Sequence, residues 1–317
     1  CAKNLVNTEQ MMALCREAGH TVTGDPEGAD VAVLNTCGFI ESAKSEAIDA
    51  ILELAALKNQ GKLKKLLVAG CLSQRYREEI KTELPEVDGL LGTGSYTDVA
   101  SAVEELMEGE RSEHFGELAQ AFDDGERWVT TPPWTAYLKI AEGCSNGCAF
   151  CVIPKLRGRY RSRSMESLLS EAKGLADRGA KELIVIAQDI TRYGLDLKDG
   201  TTLAELLTRL CRLDFHWIRL HYLYPEAVTD ELIQVIAREK KIVHYLDIPI
   251  QHANDGILKA MRRRSTRAEI EALFAKLRAA MPDVVIRTSL ICGLPGEGEA
   301  EFEELCQFLR EQKLQRV

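Results

Sequence analysis

The first third of the chain has the hydrophobic pattern of a small α/β domain. Residues 31–34 and 65–69 are short apolar runs that predict two strands, and residues 41–57 between them carry apolar side chains at helical spacing. The order strand, helix, strand predicts a parallel sheet. We assign residues 1–105 to this N-terminal domain, which also contains a predicted helix over residues 8–18. Residues 106–134 are polar and charged and end with two consecutive prolines, so we interpret them as a linker.

A second α/β region begins at residue 135 and repeats a strand followed by a helix. Its five predicted strands lie at residues 137–141, 183–187, 217–222, 243–249 and 284–292. Helices are predicted at residues 166–178 and 299–312 and after the capping threonines Thr202, Thr229 and Thr266. A sixth strand would begin where the sequence stops. We therefore predict a partial (βα)6 barrel that is truncated at its C-terminus.

Composition narrows the class of protein only modestly. The 317 residues suffice for about two domains, and no run of 18 apolar residues predicts a membrane span. The net charge of −9 argues against general nucleic-acid binding and suits a basic partner. The ten cysteines lack the pattern of a small disulfide scaffold, so we expect a reducing, cytoplasmic location. The sequence starts at Cys1 without an initiating methionine, so we expect its beginning to be cut.

Three cysteines near residue 150 form the most specific motif. Cys144, Cys148 and Cys151 have the spacing C-x3-C-x2-C, with Phe150 directly before the last cysteine. A four-iron cluster normally takes four thiolates, so three would leave one iron open to another ligand. A closed zinc site needs four ligands, and no His or Cys completes a set before Cys211. The alternatives are a lone zinc knuckle or unligated loop thiols, but the spacing resembles the signature loop of the radical S-adenosylmethionine (SAM) enzymes, in which the open iron chelates SAM.

A second set of three cysteines is spread over the N-terminal domain. Cys37 and Cys71 directly follow the two predicted strands, at the edge where open parallel sheets bind ligands. Cys1 precedes the predicted first helix and can lie at the same edge. From spacing alone two interpretations stay open: a second cluster with one open iron, or dispersed thiols buried as small hydrophobic residues. The remaining cysteines are predicted to pack in the core: Cys15, Cys211, Cys292 and Cys306.

Polar residues follow the predicted barrel strands, where a barrel places its active site. Gln188, Gln251 and Arg287 are interpreted as SAM contacts. His221 and His252 are equally compatible with proton transfer and with a hydrogen-bonded wall. Five cations alternate over residues 155–163, so an extended segment would place them in one row. This row is either a solvated face or a contact for the carboxylates of SAM or substrate.

The two cysteine sets together resemble those of the radical SAM methylthiotransferases. The resemblance spans the whole chain and is carried by CAKNLV at residues 1–6, IPKLRGRYRSR at 153–163, AQDITRYG at 187–194 and LYP at 223–225. Within this family the chain is most similar to the branch that modifies ribosomal protein S12. The tRNA-modifying branch usually has Gln-Met at the positions of Ala2 and Lys3, and Gly-Gln-Asn at residues 187–189.

This resemblance implies two [4Fe-4S] clusters and SAM as cofactors. Cys144, Cys148 and Cys151 would hold the cluster that cleaves SAM. An auxiliary cluster that carries the sulfur would be held by Cys1, Cys37 and Cys71. The residues expected to bind the cofactor are Phe150, Gln188, Gln251, Arg287 and Gly293. No catalytic side chain is assigned.

The implied reaction abstracts hydrogen from the β-carbon of an S12 aspartate and attaches a methylthio group there. The expected partners are ribosomal protein S12 and an electron donor, with no membrane involved, and the chain is most simply a monomer. The C-terminal TRAM domain of the family is expected to be absent. One rival function is the same chemistry on a tRNA adenosine, against which the contexts of Ala2, Lys3 and Tyr224 count. The other is a non-catalytic iron–sulfur carrier, which would not cleave SAM.

Overall fold

The computed structural model describes residues 1–118 and 125–317 and divides the chain into two units. Unit 1 comprises residues 1–130 together with 152–159, and unit 2 comprises residues 131–151 and 160–317. The backbone therefore leaves unit 2 directly after Cys151 and returns to it at Tyr160. Among the described residues, no helix has both the length and the apolar character needed to cross a membrane.

Unit 1 is built on a four-stranded parallel sheet with the strand order β1-β2-β3-β4. Its strands are β1 (Val31–Thr36), β2 (Lys65–Gly70), β3 (Gly89–Leu91) and β4 (Ser112–His114). Its helices are α1 (Ala2–Glu17), α2 (Glu41–Asn59), α3 (Cys71–Arg75), α4 (Arg77–Glu83), α5 (Val99–Met107) and α6 (Ile153–Arg157), with a short 3-10 helix at Tyr96–Asp98.

Helices cover both faces of this sheet, and β2 shows why. Successive side chains of a strand point to opposite faces, so Leu67 and Ala69 pack with α1 and α5, whereas Leu66 and Val68 pack with α2 and α4. All four are fully buried. A continuous apolar run of this kind is typical of a parallel strand covered on both faces. Packing on both faces holds β2 in place, and Cys71 directly follows its carboxyl end.

Two features of unit 1 differ from the sequence prediction. Helix α1 begins at Ala2 instead of residue 8, so Cys1 is its N-cap residue. The segment predicted as a linker, residues 106–134, contains the end of α5 and all of β4, while its residues 119–124 lie outside the described residues. The polar sequence of β4 gave no strand signal, because its pairing comes from the backbone of β3 rather than from apolar side chains.

Unit 2 contains a five-stranded parallel sheet with the order β5-β8-β9-β10-β11. The strands are β5 (Thr135–Lys139), β8 (Glu182–Ile186), β9 (Trp217–Leu220), β10 (Ile242–Asp247) and β11 (Val285–Arg287), and β6 (Ala141–Glu142) forms an antiparallel pair with β7 (Arg161–Ser162). The helices are α7 (Met165–Asp177), α8 (Leu203–Leu210), α9 (Asp230–Arg238), α10 (Asp255–Ala260), α11 (Arg267–Ala280) and α12 (Glu299–Gln312), with 3-10 helices at Ile190–Arg192 and Pro225–Ala227.

The strand order confirms the predicted partial barrel, because each strand pairs with the next one along the sheet. Arg316 forms a parallel bridge with Arg287, at the position where a sixth strand would pair. The three predicted threonine caps are also confirmed: the side chains of Thr202, Thr229 and Thr266 each accept a hydrogen bond from a backbone N–H in the first turn of the helix that follows.

Candidate functional site

The loop with three closely spaced cysteines follows the first barrel strand of unit 2. Gly143 and Gly147 have positive φ angles of 76° and 69°, a conformation in which glycine meets no steric penalty, and each directly precedes a cysteine. The backbone N–H of Cys151 donates to the carbonyl of Cys148 at 3.1 Å. The N–H of Ala149 donates to the carbonyl of Met261 at 3.0 Å, which ties the loop to the segment after α10.

The thiols of this loop are set in a protected environment. Cys144 and Cys148 are buried and Cys151 is half-buried. Burial is the main cause that raises the pKa of Cys144 to about 11, and negative charge on Asp189 and on the other two cysteines acts in the same direction. The Cys144 thiol therefore stays protonated at neutral pH until a cation stabilises its thiolate.

Three thiols within eight residues are a donor set that suits an iron–sulfur cluster. Within residues 1–118 and 125–317, no three His, Cys, Asp or Glu side chains already stand in a metal-binding arrangement. The loop thus fits the group by the chemistry of its three thiols and by their burial.

Asp189, three residues after β8 and directly before the 3-10 helix Ile190–Arg192, anchors the loop. Its carboxylate is fully buried and accepts hydrogen bonds from the Asn146 side chain at 2.9 Å and from the backbone N–H of Thr191 at 3.0 Å. Arg192 Nε lies 3.2 Å from the same carboxylate. Burial nevertheless raises the pKa of Asp189, against these hydrogen bonds and the nearby Arg192. The sequence placed Asp189 among the polar residues at the strand ends but assigned it no specific role.

Gln188 is held against a buried ion pair. Its Nε2 donates to Glu142 Oε1 at 2.7 Å, and Lys139 Nζ lies 3.0 Å from Glu142 Oε2. The N–H of Gly143 also donates to Glu142 Oε1, at 3.1 Å. The carbonyl oxygen of Gln188 is buried and accepts no hydrogen bond from the described residues. Such an acceptor is costly to leave unsatisfied and is suited to an N–H group of a ligand.

The other residues predicted to bind the cofactor occupy different settings. Arg287 Nη1 lies 2.5 Å from Asp247 Oδ1, and the Arg287 side chain is 41% exposed. Gln251 has a positive φ of 74° and extends the pairing beyond β10 and β11 through backbone hydrogen bonds. The N–H of Gly293 donates to Glu297 at 2.7 Å. Phe150 is half-buried within the cysteine loop.

Two residues to which the sequence assigned no specific role lie against the cysteine loop. Arg263 Nη1 is 3.8 Å from the sulfur of Cys148, and the hydroxyl of Tyr224 is 3.9 Å from the same atom. The guanidinium of Arg263 stacks 4.3 Å from the centre of the Tyr224 ring. Burial raises the pKa of Tyr224 well above its usual range, so its hydroxyl remains a hydrogen-bond donor. Nothing in the local sequence distinguished Arg263 from its basic neighbours.

In unit 1 two cysteines of the second set lie at the carboxyl edge of the sheet. Cys37 follows β1, and Cys71 follows β2 as the first residue of α3. A Cβ atom on Gly38 would lie only 3.0 Å from the carbonyl oxygen of Cys71, so the backbones beside Cys37 and Cys71 are in close contact. Cys71 is buried, Cys37 is half-buried and Cys1 is exposed.

Side-chain amides connect Cys1 to this edge. Asn4, in the first turn of α1, donates to the carbonyl of Thr36 at 2.8 Å, one residue before Cys37. Asn35 donates in return to the carbonyl of Asn4 at 2.9 Å. Arg75 donates to the carbonyl of Gly38 at 2.8 Å. These hydrogen bonds join the first turn of α1 to the end of β1 and hold the backbone on both sides of Cys37.

The basic run over residues 155–163 is not the extended row that was predicted. Residues Ile153–Arg157 form α6, and Arg157 is buried in unit 1, where it donates to Asn7 at 3.1 Å and also to Asn4. Arg163 is buried in unit 2 and forms an ion pair with Glu171 at 2.5 Å. Arg157 and Arg163 are therefore each buried against partners within their own unit and do not belong to a solvated row.

The predictions for the histidines and the remaining cysteines have mixed outcomes. His252 is fully buried, accepts a hydrogen bond from the N–H of Asn254 at 3.0 Å and lies 3.5 Å from Glu297, which supports the wall interpretation. Cys15 is buried in the core of unit 1, as predicted. The prediction for Cys292 was wrong, because this residue is exposed in the loop after β11.

Comparisons with known proteins identify the family. Residues 138–309 match the radical SAM superfamily, and residues 1–92 match a family described as Uncharacterized protein family UPF0004. A protein of Clostridioides difficile (strain 630) named ribosomal protein uS12 methylthiotransferase RimO is 50% identical over all of this chain, which covers 72% of that protein. A protein of the same name from Thermoanaerobacter sp. (strain X514) is 47% identical over all of this chain, which covers 73% of it.

The chain belongs to the RimO methylthiotransferase family. This confirms the resemblance stated from the sequence, together with the expectation of a transferase that uses SAM and a [4Fe-4S] cluster.

Solved structures support the fold assignment. The radical SAM methyltransferase TsrM from Kitasatospora setae, solved with tryptophan and a SAM analogue, matches with a TM-score of 0.67 and 13% identity, over 96% of this chain and 64% of that chain. The cobalamin-dependent radical SAM enzyme OxsB matches with a TM-score of 0.59 and 12% identity, over 96% of this chain and 45% of that chain. At such low identity these matches speak to the fold alone.

Proposed function

We propose that this protein methylthiolates the β-carbon of an aspartate in ribosomal protein S12, using SAM and two [4Fe-4S] clusters. The observation that carries the proposal is the presence of three cysteines of each set within one unit: Cys37 and Cys71 directly follow parallel strands of unit 1, and the other set lies in the loop after the first barrel strand of unit 2. The names of the RimO relatives support S12 as the substrate. The net charge of −9 suits a basic ribosomal protein, as a weaker argument.

In unit 2, Cys144, Cys148 and Cys151 would hold the cluster that binds SAM. When bound, cluster and SAM together supply the one-electron chemistry needed to remove hydrogen from an unreactive carbon. The protein contributes position and shielding: Asp189 and Asn146 fix the loop, and the burial of Cys144 and Cys148 keeps water from their sulfur atoms.

The polar residues around this loop would orient SAM. The buried carbonyl oxygen of Gln188 offers an acceptor for an N–H group, since its own amide nitrogen is already bonded to Glu142. Arg287 offers a partly exposed cation for a carboxylate, although Asp247 already neutralises part of its charge. Gln251, Gly293 and Phe150 would complete the surface that the cofactor contacts.

In unit 1, Cys1, Cys37 and Cys71 would hold the auxiliary cluster. Three thiolates leave one position of a four-iron cluster without a protein ligand, where the sulfur destined for transfer can be carried. The buried Cys71 and the half-buried Cys37 would hold the cluster against the sheet. A low-potential electron donor, a reducing cytoplasm and a monomeric chain complete this proposal.

Mass spectrometry of candidate acceptors tests the proposal. The reconstituted protein is incubated without oxygen with SAM, sulfide, a reductant, and either S12 or tRNA. We expect a methylthio group on one S12 aspartate and no change in tRNA. Modification of a tRNA adenosine would overturn the substrate assignment, and an absence of SAM cleavage would favour a carrier over an enzyme.

A further inference from the structure

Two donor groups point at one sulfur atom of the cysteine loop in unit 2. Arg263 Nη1 lies 3.8 Å and the Tyr224 hydroxyl 3.9 Å from Cys148 Sγ, distances within hydrogen-bonding reach of the large sulfur atom. Cys148 itself is buried. Both groups therefore act on this sulfur in a region where solvent screens charge only weakly.

The guanidinium of Arg263 is held in place by further contacts. Its Nη2 donates to the carbonyl of Pro249 at 3.0 Å, and its plane lies 4.3 Å from the centre of the Tyr224 ring. The hydrogen bond between Ala149 and Met261 joins the loop to the segment that carries Arg263. The side chain is only 8% exposed, so its orientation is well defined.

Arg263 forms no ion pair with a carboxylate anywhere in residues 1–118 and 125–317. A buried cation usually requires an anionic partner, because desolvation of the charge is expensive. A cysteine that binds a cluster does so as a thiolate, so a cluster held by Cys148 would place an anionic sulfur 3.8 Å from this cation.

We propose that Arg263 and Tyr224 raise the reduction potential of the cluster held by Cys144, Cys148 and Cys151, acting through the sulfur of Cys148; this rests on the proposed function. A one-electron reduction adds negative charge to the cluster and its thiolate ligands. A fixed cation and hydrogen-bond donors stabilise the reduced form more than the oxidised form. The electron comes from a low-potential one-electron donor, and both residues are positioning residues because they act through Cys148.

The experiment measures the midpoint potential of this cluster by itself. Cys1, Cys37 and Cys71 are replaced by alanine in the whole chain, which is reconstituted with iron and sulfide without oxygen and titrated while electron paramagnetic resonance follows the reduced cluster. In this background Arg263→Gln is expected to shift the midpoint to more negative values, and Tyr224→Phe to shift it less in the same direction. Arg264→Gln, at the exposed neighbour of Arg263, serves as the matched control and should leave the potential unchanged.

The outcomes separate this inference from the proposed function. If the background protein binds no cluster, the assignment of the loop cysteines fails. If the cluster binds, and neither Arg263→Gln nor Tyr224→Phe changes its midpoint potential relative to Arg264→Gln, the inference is wrong. If the Arg263→Gln variant binds no cluster, the midpoint potential of Tyr224→Phe alone tests the inference. This variant keeps the aromatic ring next to the guanidinium and removes only the hydroxyl.

Discussion

Replacing Arg157 with alanine is expected to loosen the part of unit 1 that carries Cys1. Arg157 is 3% exposed and donates to the side-chain oxygens of Asn4 and Asn7, both on α1. A hydrogen bond from a charged group contributes about 1.5–3 kcal/mol, and its loss leaves buried amide oxygens unpaired. The two bonds together predict a loss of about 3 kcal/mol or more, a large share of the ~5–15 kcal/mol that stabilises a typical domain.

A single tryptophan can report this loss. Trp128 lies against α1. Its backbone N–H donates to the backbone carbonyl of Glu9 at 3.0 Å, and the Arg16 guanidinium stacks 4.3 Å from the centre of its ring. The other two tryptophans, Trp134 and Trp217, are 63% and 49% exposed and can be replaced by phenylalanine at little cost. Denaturant unfolding followed by Trp128 fluorescence then gives the stability of unit 1.

The matched control is Lys155→Ala, an exposed position on the same helix α6 as Arg157. It should change the free energy of unfolding by less than about 0.5 kcal/mol. The free energy of unfolding of Arg157→Lys should lie between those of the control and the alanine variant. Lysine keeps the charge but lacks the planar guanidinium that forms both hydrogen bonds. An unfolding free energy for Arg157→Ala equal to that of the control would refute the role assigned to this side chain.

Three further predictions concern the two sites and the pH dependence. Cys37→Ala should abolish methylthio transfer while SAM cleavage persists; loss of both activities would mean that the two cysteine sets do not have separate tasks. Gln188→Ala should weaken SAM binding by about two- to tenfold, the value of one hydrogen bond, measured by equilibrium dialysis at equal iron content; an unchanged dissociation constant would remove Gln188 from the SAM site. The neighbouring side chains of Ser112 and His114 lower the pKa of Glu105 below 4.5, so the contribution of its carboxylate to stability is present above pH 4.5 and is lost as the pH falls through the folded-state pKa. Glu105→Gln should therefore flatten the acid side of the stability profile, and an unaltered profile would contradict this.

The sequence predicted the features that depend on local spacing. Short apolar runs, separated by segments with helical spacing, predicted the parallel strands of both units. Threonines at the starts of the helices predicted three N-caps. Cys144, Cys148 and Cys151 could be recognised as a set because all three lie within eight residues. For Cys37 and Cys71 the strand ends were the signal, since the carboxyl ends of parallel strands meet at one edge of a sheet.

Other features depend on contacts that no local pattern encodes. Arg157 and Arg263 look like members of exposed basic runs, and only the fold brings them to Asn4 and to Cys148, at sequence separations of 153 and 115 residues. Strand β4 has no apolar pattern. Backbone pairing with β3, rather than apolar side chains, holds it in the sheet. Helix α1 begins earlier than its apolar spacing indicated because its polar first turn is satisfied by Thr36 and Asn35 instead of by solvent.

The central claim is that each cysteine set holds its own cluster. The most direct measurement is the iron and acid-labile sulfide content of the reconstituted protein and of two triple alanine variants, one for each set. We predict about eight irons per chain in the unaltered protein and about four in each variant, because each cubane cluster contains four. About four irons in the unaltered protein, all lost when Cys144, Cys148 and Cys151 are replaced, would contradict the account.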